Sequence, residues 1–290
     1  MTDIALIGLG AMGSALGRTL LGGGHGLTVW NRTASKTEAM KLAGAVVAPS
    51  VVAAVASSPV VIVCVDNYEV TREILGGPDV RAALAGRLLV QLSTGTPKEA
   101  RDLAAWAIDC GAEYLDGAIL AYPDQMGTPD AAVLVSGPTA AYERCAPRLR
   151  PIAGGLTHVG EAVGAAAALD CASLSFLFGA LLGTIHGARI CEVEGLPVDE
   201  FGTLLSSFLP VLGGEIGQIT QRIQGDRFDD TQAALQTYAA AAGRLMQQAT
   251  DGGIPQDFPA FASTLFRKAT DAGAGREDLA ALVKVLRTGP

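Results

Sequence analysis

The chain has 290 residues, 49% hydrophobic and 17% charged, with a formal net charge of −8. That length suggests about two domains, each able to bury a substantial core, and the acidic balance argues against a nucleic-acid partner, which needs a basic face. The five cysteines, at 64, 110, 145, 171 and 191, form no CxxC pair and show no metal-ligand spacing, so they read as small core residues of a reducing compartment and no metal is expected.

The chain begins Met-Thr-Asp and runs straight into an apolar stretch, without a basic leader or a small-residue cleavage site. The expectation is therefore a cytoplasmic protein, and the Asn31-Arg32-Thr33 sequon reads as accidental. Asp3 to Ile7 reads as a strand, followed by Gly8-Leu9-Gly10-Ala11-Met12-Gly13, a helix through Leu21 and a second strand from Leu27 to Trp30. A lone GxGxxG is an ordinary turn as often as a site, but strand, tight turn, helix and second strand together indicate dinucleotide binding. In that setting Gly8 permits the turn, Gly10 lets backbone approach a pyrophosphate, and Gly13 allows close helix–strand packing. The helix N-terminus adds N–H groups and partial positive charge.

The end of the second strand selects the dinucleotide. An acidic residue there would take the ribose 2′-OH of NAD; here Asn31 brings no repelling charge, Arg32 can pair with a 2′-phosphate, and Thr33 and Lys36 follow. Thr33 could equally cap the next helix. The expected cofactor is NADPH.

Strands at Val46-Val47, Val60 to Val65 and Leu88 to Leu92 alternate with helical patterns at 49–56, 68–75 and 97–109, which predicts a doubly wound parallel sheet of the Rossmann type. Ligands of such sheets lie beyond the strand carboxyl ends, so Val65, Ser93 and Thr94 join the cofactor candidates. Further strands are expected at Tyr114 to Ile119, Ala132 to Ser136 and Leu156 to Val159, with a helix over 138–150. The expected division is a nucleotide-binding domain 1–160, a long interdomain helix 161–191 and an all-helical domain 192–290. Helical patterns in the last part fall at 198–208, 212–223, 230–249, 257–272 and 276–286.

The long helix is the unusual element. Val163 to Ile185 reads VGAAAALDCASLSFLFGALLGTI, in which Asp170 is the only ionisable side chain apart from Cys171. Thirty-one residues from Glu161 to Cys191 would span roughly 45 Å as helix. A helix apolar all round is buried on every side or lies in a bilayer. The internal Asp and the absence of a basic flank favour burial between domains or subunits over a membrane. Asp170, Leu174, Leu177 with Phe178, Leu181 and Ile185 share one face. A carboxylate there is either a structural anchor bonded to a neighbour or a proton donor and cation stabiliser in an apolar pocket. Walls for such a pocket would come from Leu120, Tyr122, Met126, Leu174, Phe178 and Phe208.

The whole chain resembles the β-hydroxyacid dehydrogenase superfamily, through GLGAMG at 8–13, STGTP at 93–97 and Tyr-Leu-Asp at 114–116. In the hydroxyacid enzymes a Ser-Gly-Gly turn follows that last strand, and a catalytic Lys sits on the long helix with an Asn four residues on. Here Leu120-Ala121-Tyr122, Asp170 and Leu174 occupy those places. These departures, with Asn-Arg-Thr at 31–33, Gly-Thr-Pro-Lys-Glu-Ala at 95–100 and Tyr-Leu-Asp-Gly-Ala-Ile at 114–119, resemble the imine reductases and reductive aminases. That resemblance implies NADPH-dependent reduction of a small imine, with Asp170 as the catalytic residue. Thr94 stands where the reductive aminases carry Asn, and Phe178 where many carry Tyr, which favours preformed, apolar cyclic imines over coupling of ketone and amine. A different carbonyl or hydroxyacid-type NADP oxidoreductase, or a catalytically silent NADP-binding protein, is the alternative. The apolar helix further implies a homodimer with shared active sites.

Overall fold

The computed structural model describes residues 2–288. Its elements in chain order are β1 (Ile4–Ile7), α1 (Ala11–Gly22), β2 (Leu27–Trp30), α2 (Glu38–Leu42), β3 (Val46–Val47), α3 (Val51–Ala56), β4 (Val60–Val63), α4 (Tyr68–Leu75), α5 (Pro78–Leu84), β5 (Leu88–Gln91), α6 (Pro97–Asp109), β6 (Glu113–Leu120), β7 (Ala132–Ser136), α7 (Thr139–Leu149), β8 (Gly155–His158), α8 (Ala165–Val193), α9 (Val198–Gly225), α10 (Leu235–Asp251), α11 (Asp257–Asp271) and α12 (Val283–Arg287). The chain divides into two compact units between Ser175 and Phe176, inside α8.

The first unit is built on one sheet in the order β3-β2-β1-β4-β5-β6-β7-β8. Strands β1, β4 and β5 are buried along their whole length, as expected of strands covered by helices on both faces. Pairing is parallel from β3 through β6, with Ile4 opposite both Leu27 and Val60. Alternate residues feed two cores. Leu6, Ile62, Val90 and Leu115 pack with α1 and α7 on one face; Ile7, Val63, Leu89 and Tyr114 pack with α3, α4 and α6 on the other.

Two features of the sheet differ from a simple reading of strand alternation. First, β7 runs antiparallel to β6, with Asp116 opposite Ser136, and β8 follows β7 in parallel. The link from Ala121 to Ala131 holds only a 3-10 turn at Pro123–Gln125, and a parallel return would need a crossover of a dozen or more residues. Second, α5 was not anticipated by periodicity. Gly77 precedes it and Pro78 opens it, so a helix start resembles a breaker in sequence.

Local chemistry fixes the loops at the strand carboxyl ends. Asn67 caps α4, its side chain accepting from the Val70 N–H at 2.9 Å. Thr96 and Glu99 form a reciprocal capping box at the start of α6, ahead of which lie Ser93 and Thr94.

In the second unit α9 is one continuous helix where two were expected, and Pro210 lies inside it. Proline removes one ladder bond, but its fixed φ is already helical, and the bonds on either side carry the helix through. Helix α10 begins at Leu235 instead of 230, because Thr231 closes its own turn by bonding with Ala233. The expected helix 276–286 is instead two 3-10 turns, Ala274–Arg276 and Leu279–Leu282, and the short α12. Asp278 interrupts it: its N–H donates to the Phe228 carbonyl and its side chain accepts from Ala280 N–H. Phe228, Leu235, Ala269 and Ala281 form the core of this unit, beside an ion pair of Arg222 and Asp278 at 3.5 Å.

By length and composition α8 could cross a membrane. Its first turns are packed into the first unit, with Ala166, Ala167 and Asp170 buried, whereas Phe176, Phe178, Leu181, Leu182 and Ile185 are exposed.

Candidate functional site

The loop from Gly8 to Gly13 joins β1 to α1. Gly8 has φ +100°, and a Cβ there would collide with the Cys64 carbonyl of β4's end; a Cβ at Gly13 would collide with the Gly8 carbonyl. Gly10 has open space in the direction of a Cβ. Gly8 and Gly13 thus bring α1, β1 and β4 into close approach, and Gly10 between them leaves bare backbone facing outward. The first turn of α1 presents free N–H groups to the same side. The hollow here, about 290 Å³, is lined by Gly8 through Gly13, Asn31, Arg32, Thr33, Lys36 and Val65. Trp30, Cys64, Asp66, Val70 and Ile74 complete it. Trp30 ends β2, Cys64 and Asp66 follow β4, as the rule of strand carboxyl ends leads one to expect for Asp66, and Val70 and Ile74 come from the half-buried side of α4.

Asn31 ties this loop together. Its Oδ1 accepts from the Leu9 N–H at 2.9 Å and its Nδ2 donates to the Thr33 carbonyl at 2.9 Å. Arg32 and Lys36 are exposed beside it. Thr33 makes no side-chain cap to the following turn and lines the hollow. An uncharged residue after β2 with two cations alongside makes a site suited to a dinucleotide bearing an extra phosphate.

A second hollow of about 270 Å³ adjoins the first: Met12, Cys64 and Val65 line both. Its other walls are Leu92, Ser93, Thr94, Ala118, Ile119, Ala121 and Asp170. Ser93 is buried and accepts from the Val65 N–H at 3.0 Å, so it fixes the end of β4. Asp170 is 6% exposed. No hydrogen bond or ion pair engages its carboxylate among the described residues, and burial raises its pKa above the ordinary carboxylate range. Asp170 is therefore not bonded to a neighbouring group among the described residues. Burial pushes the Cys64 thiol up to about 12, so it stays a neutral wall.

The expected apolar walls are more scattered. Ala118, Ile119 and Ala121 line the hollow where Leu120 and Tyr122 were expected; Leu120 is not among its walls, and Tyr122 is 63% exposed. Met126 is not a wall but part of the core beneath α1, drawn there by the 3-10 turn that precedes it. Leu174 is half-buried in the first unit. Phe178 and Phe208 belong to the second unit, where both are exposed.

A Rossmann sheet with a glycine loop, a cationic strand end and an adjoining hollow defines a dinucleotide-dependent oxidoreductase. Comparison with known proteins narrows the class. Residues 3–160 match the NAD-binding domain of 6-phosphogluconate dehydrogenase, and residues 162–288 match the C-terminal domain of NADPH-dependent reductive aminase-like proteins. The chain is 36% identical to an imine reductase from Myxococcus stipitatus in complex with NADP+, covering 98% of this chain and 99% of that one at a TM-score of 0.94. It is 30% identical to a reductive aminase from Aspergillus terreus in complex with NADPH4, cyclohexanone and allyl amine, covering 98% and 99% at a TM-score of 0.91. An NADPH-dependent reductive aminase from Aspergillus oryzae is 28% identical over 290 residues, 99% of this chain and 97% of the relative. The chain belongs to the imine reductase and reductive aminase family of NADPH-dependent oxidoreductases.

The Asn31 tie makes a measurable prediction. Asn31→Ala leaves the Leu9 N–H without its acceptor, at a cost of roughly 1–3 kcal/mol. Hydrogen exchange at the Leu9 amide should accelerate more than tenfold while amides of β5 are unaffected. Unchanged exchange at Leu9 would show that the tie does not hold the loop.

Proposed function

We propose that this enzyme reduces preformed, apolar cyclic imines to amines, with Asp170 as the catalytic residue. The observation that carries this reading is Asp170 itself, a largely buried carboxylate with no counter-ion among the described residues, on the wall of a hollow adjoining the glycine loop. A carbonyl substrate needs a donor to its developing oxyanion, for which Lys or Tyr is suited. A carboxylate instead favours a substrate that carries, or is acquiring, positive charge on nitrogen. The family's reaction is reduction of C=N, and NADPH, when bound, supplies the hydride.

The chain's own residues then have distinct tasks. Gly8 through Gly13 and the start of α1 receive the pyrophosphate, a role supported by the bare backbone over Gly10. Arg32 and Lys36 take the 2′-phosphate, with Thr33 beside them and Asn31 holding the turn. Ser93 holds Val65 in place, and Thr94 lines the hollow beside them. Asp170, its pKa raised by burial, holds a proton to higher pH than an ordinary carboxylate and can deliver it to the imine nitrogen. Once ionised, it stabilises the resulting cation. Ile119, Ala121 and Met12 supply apolar walls, and Leu174 adds to them.

Substituting Arg32→Ala should raise KM for NADPH far more than for NADH. Equal losses with both cofactors would remove Arg32 from the 2′-phosphate.

Asp170→Asn and Asp170→Ala should each lower kcat for a cyclic imine such as 1-pyrroline by about 10²-fold or more. Thermal stability should hold or rise, since a desolvated carboxylate is removed. An N-methyl iminium substrate, which needs no proton, separates the two roles. If Asp170→Asn reduces it at the wild-type rate, Asp170 is an acid; if it fails on both substrates, charge stabilisation dominates. Full activity on both would exclude Asp170 from the reaction.

The exposed apolar side chains of α8, together with Leu204, Phe208, Leu209 and Val211 of α9, support a homodimer in which a second copy covers them. Phe178 and Phe208 would then contribute to shared active sites. Light scattering at micromolar concentration should give the dimer mass, and a fully active monomer would overturn this arrangement.

A further inference from the structure

Asp116 is a buried carboxylate that the reduction itself does not use. It lies on β6 with 0% exposure, and no ion pair among the described residues includes it. Tyr68 of α4 and Tyr114 of β6 both donate to its Oδ1, at 2.5 and 3.2 Å. Its Oδ2 has no hydrogen-bond partner among the described residues.

Its place in the fold sets it directly under the hollow. Ala118, which lines the hollow with Asp170, lies two residues on along the same face of β6, a step of about 6–7 Å. From the other side, Ala167 of α8 packs in the same core as Tyr68 and Tyr114. Asp170 follows Ala167 by three residues, a rise of about 5 Å along the helix. Both routes put the two carboxylates one layer apart, on one side of the sheet, with low-dielectric packing around them.

We propose that Asp116 is a positioning residue that acts on Asp170 through charge: the two carboxylates titrate as a coupled pair, and Asp116 sets the pH range over which Asp170 exchanges its proton. The inference rests on the reading of Asp170 as the group that serves the reduction. The other titratable groups facing the pair are few. Tyr68 and Tyr114 touch Asp116, Glu99 of α6 acts on Tyr68, and Cys64 and Cys171 lie beside Asp170 at the end of β4 and on α8. Burial raises the pKa of Asp116, the two tyrosine hydroxyls favour its charged form, and the charge of Asp170 raises it again. Burial by itself raises the pKa of Asp170; because coupling between two sites is reciprocal, under this proposal the charge on Asp116 adds to that rise.

The test is a cycle of wild type, Asp116→Asn, Asp170→Asn and the double variant, using the full chain. Two readouts are followed against pH: kcat for 1-pyrroline reduction with NADPH, and Tm. Removing the charge at 116 lowers the pKa of Asp170, so the limb that titrates Asp170 should move to lower pH by about half a unit or more. The direction is the same whether the protonated or the ionised form of Asp170 is the active one. The pH dependence of Tm should be non-additive between the two single variants. A limb that stays in place, with additive Tm effects at every pH, overturns the coupling. If Asp170→Asn reduces the imine like wild type while the Tm cycle remains non-additive, the pair stands and the catalytic reading of Asp170 falls. Should Asp116→Asn not fold, Tyr68→Phe replaces it. Losing that donor makes Asp116 hold its proton to higher pH, so the Asp170 limb again moves down, by less, and no movement overturns the proposal.

Discussion

Burying the Asp170 carboxylate without a partner among the described residues costs free energy, and much of the first unit bears on how that cost is met. In water the group would be solvated and ordinary. On α8 it is enclosed by Ala118, Ile119 and the ends of β4 and β5, where a charge is expensive and a proton is retained longer. The same low dielectric would strengthen its attraction for a cation.

The sheet provides the rigidity that such a group requires. Loops at the carboxyl ends of β1, β4, β5 and β6 converge on Met12, Val65, Ser93 and Ala118, and each is held by a specific contact. Gly8 abuts Cys64, the Ser93 hydroxyl receives the Val65 N–H, and Thr96 and Glu99 cap the helix that follows Thr94. The first turn of α8 is fastened separately, by the Ala166 N–H donating to the Ser136 hydroxyl at 3.1 Å. A side chain one turn further along inherits that precision.

Legibility in the sequence followed the range of the interactions. The glycine loop, β2, α4, α6 and the run of α8 are governed by spacing and by caps a few residues away, and their positions could be read from Gly8, Asn67, Thr96 and the unbroken apolar stretch. Three features depend on tertiary context and could not. The reversal at β7 follows from a short connection whose consequence appears only against the whole sheet. Met126 looks like a pocket wall until its 3-10 turn carries it under α1. The Tyr68–Asp116–Tyr114 cluster joins positions 48 residues apart, with nothing local to announce it.

Asn31 uses both its oxygen and its amide on backbone of the protein itself. A turn stapled in this way has already given up its conformational freedom before any nucleotide arrives, so binding need not spend affinity on ordering it. It also separates shape from charge: one residue sets the curve of the turn, and its neighbours Arg32 and Lys36 stand exposed beside it. Redesigning cofactor preference at such a turn is consequently easier at Arg32 and Lys36, whose side chains are free to change, than at the residue that holds the curve.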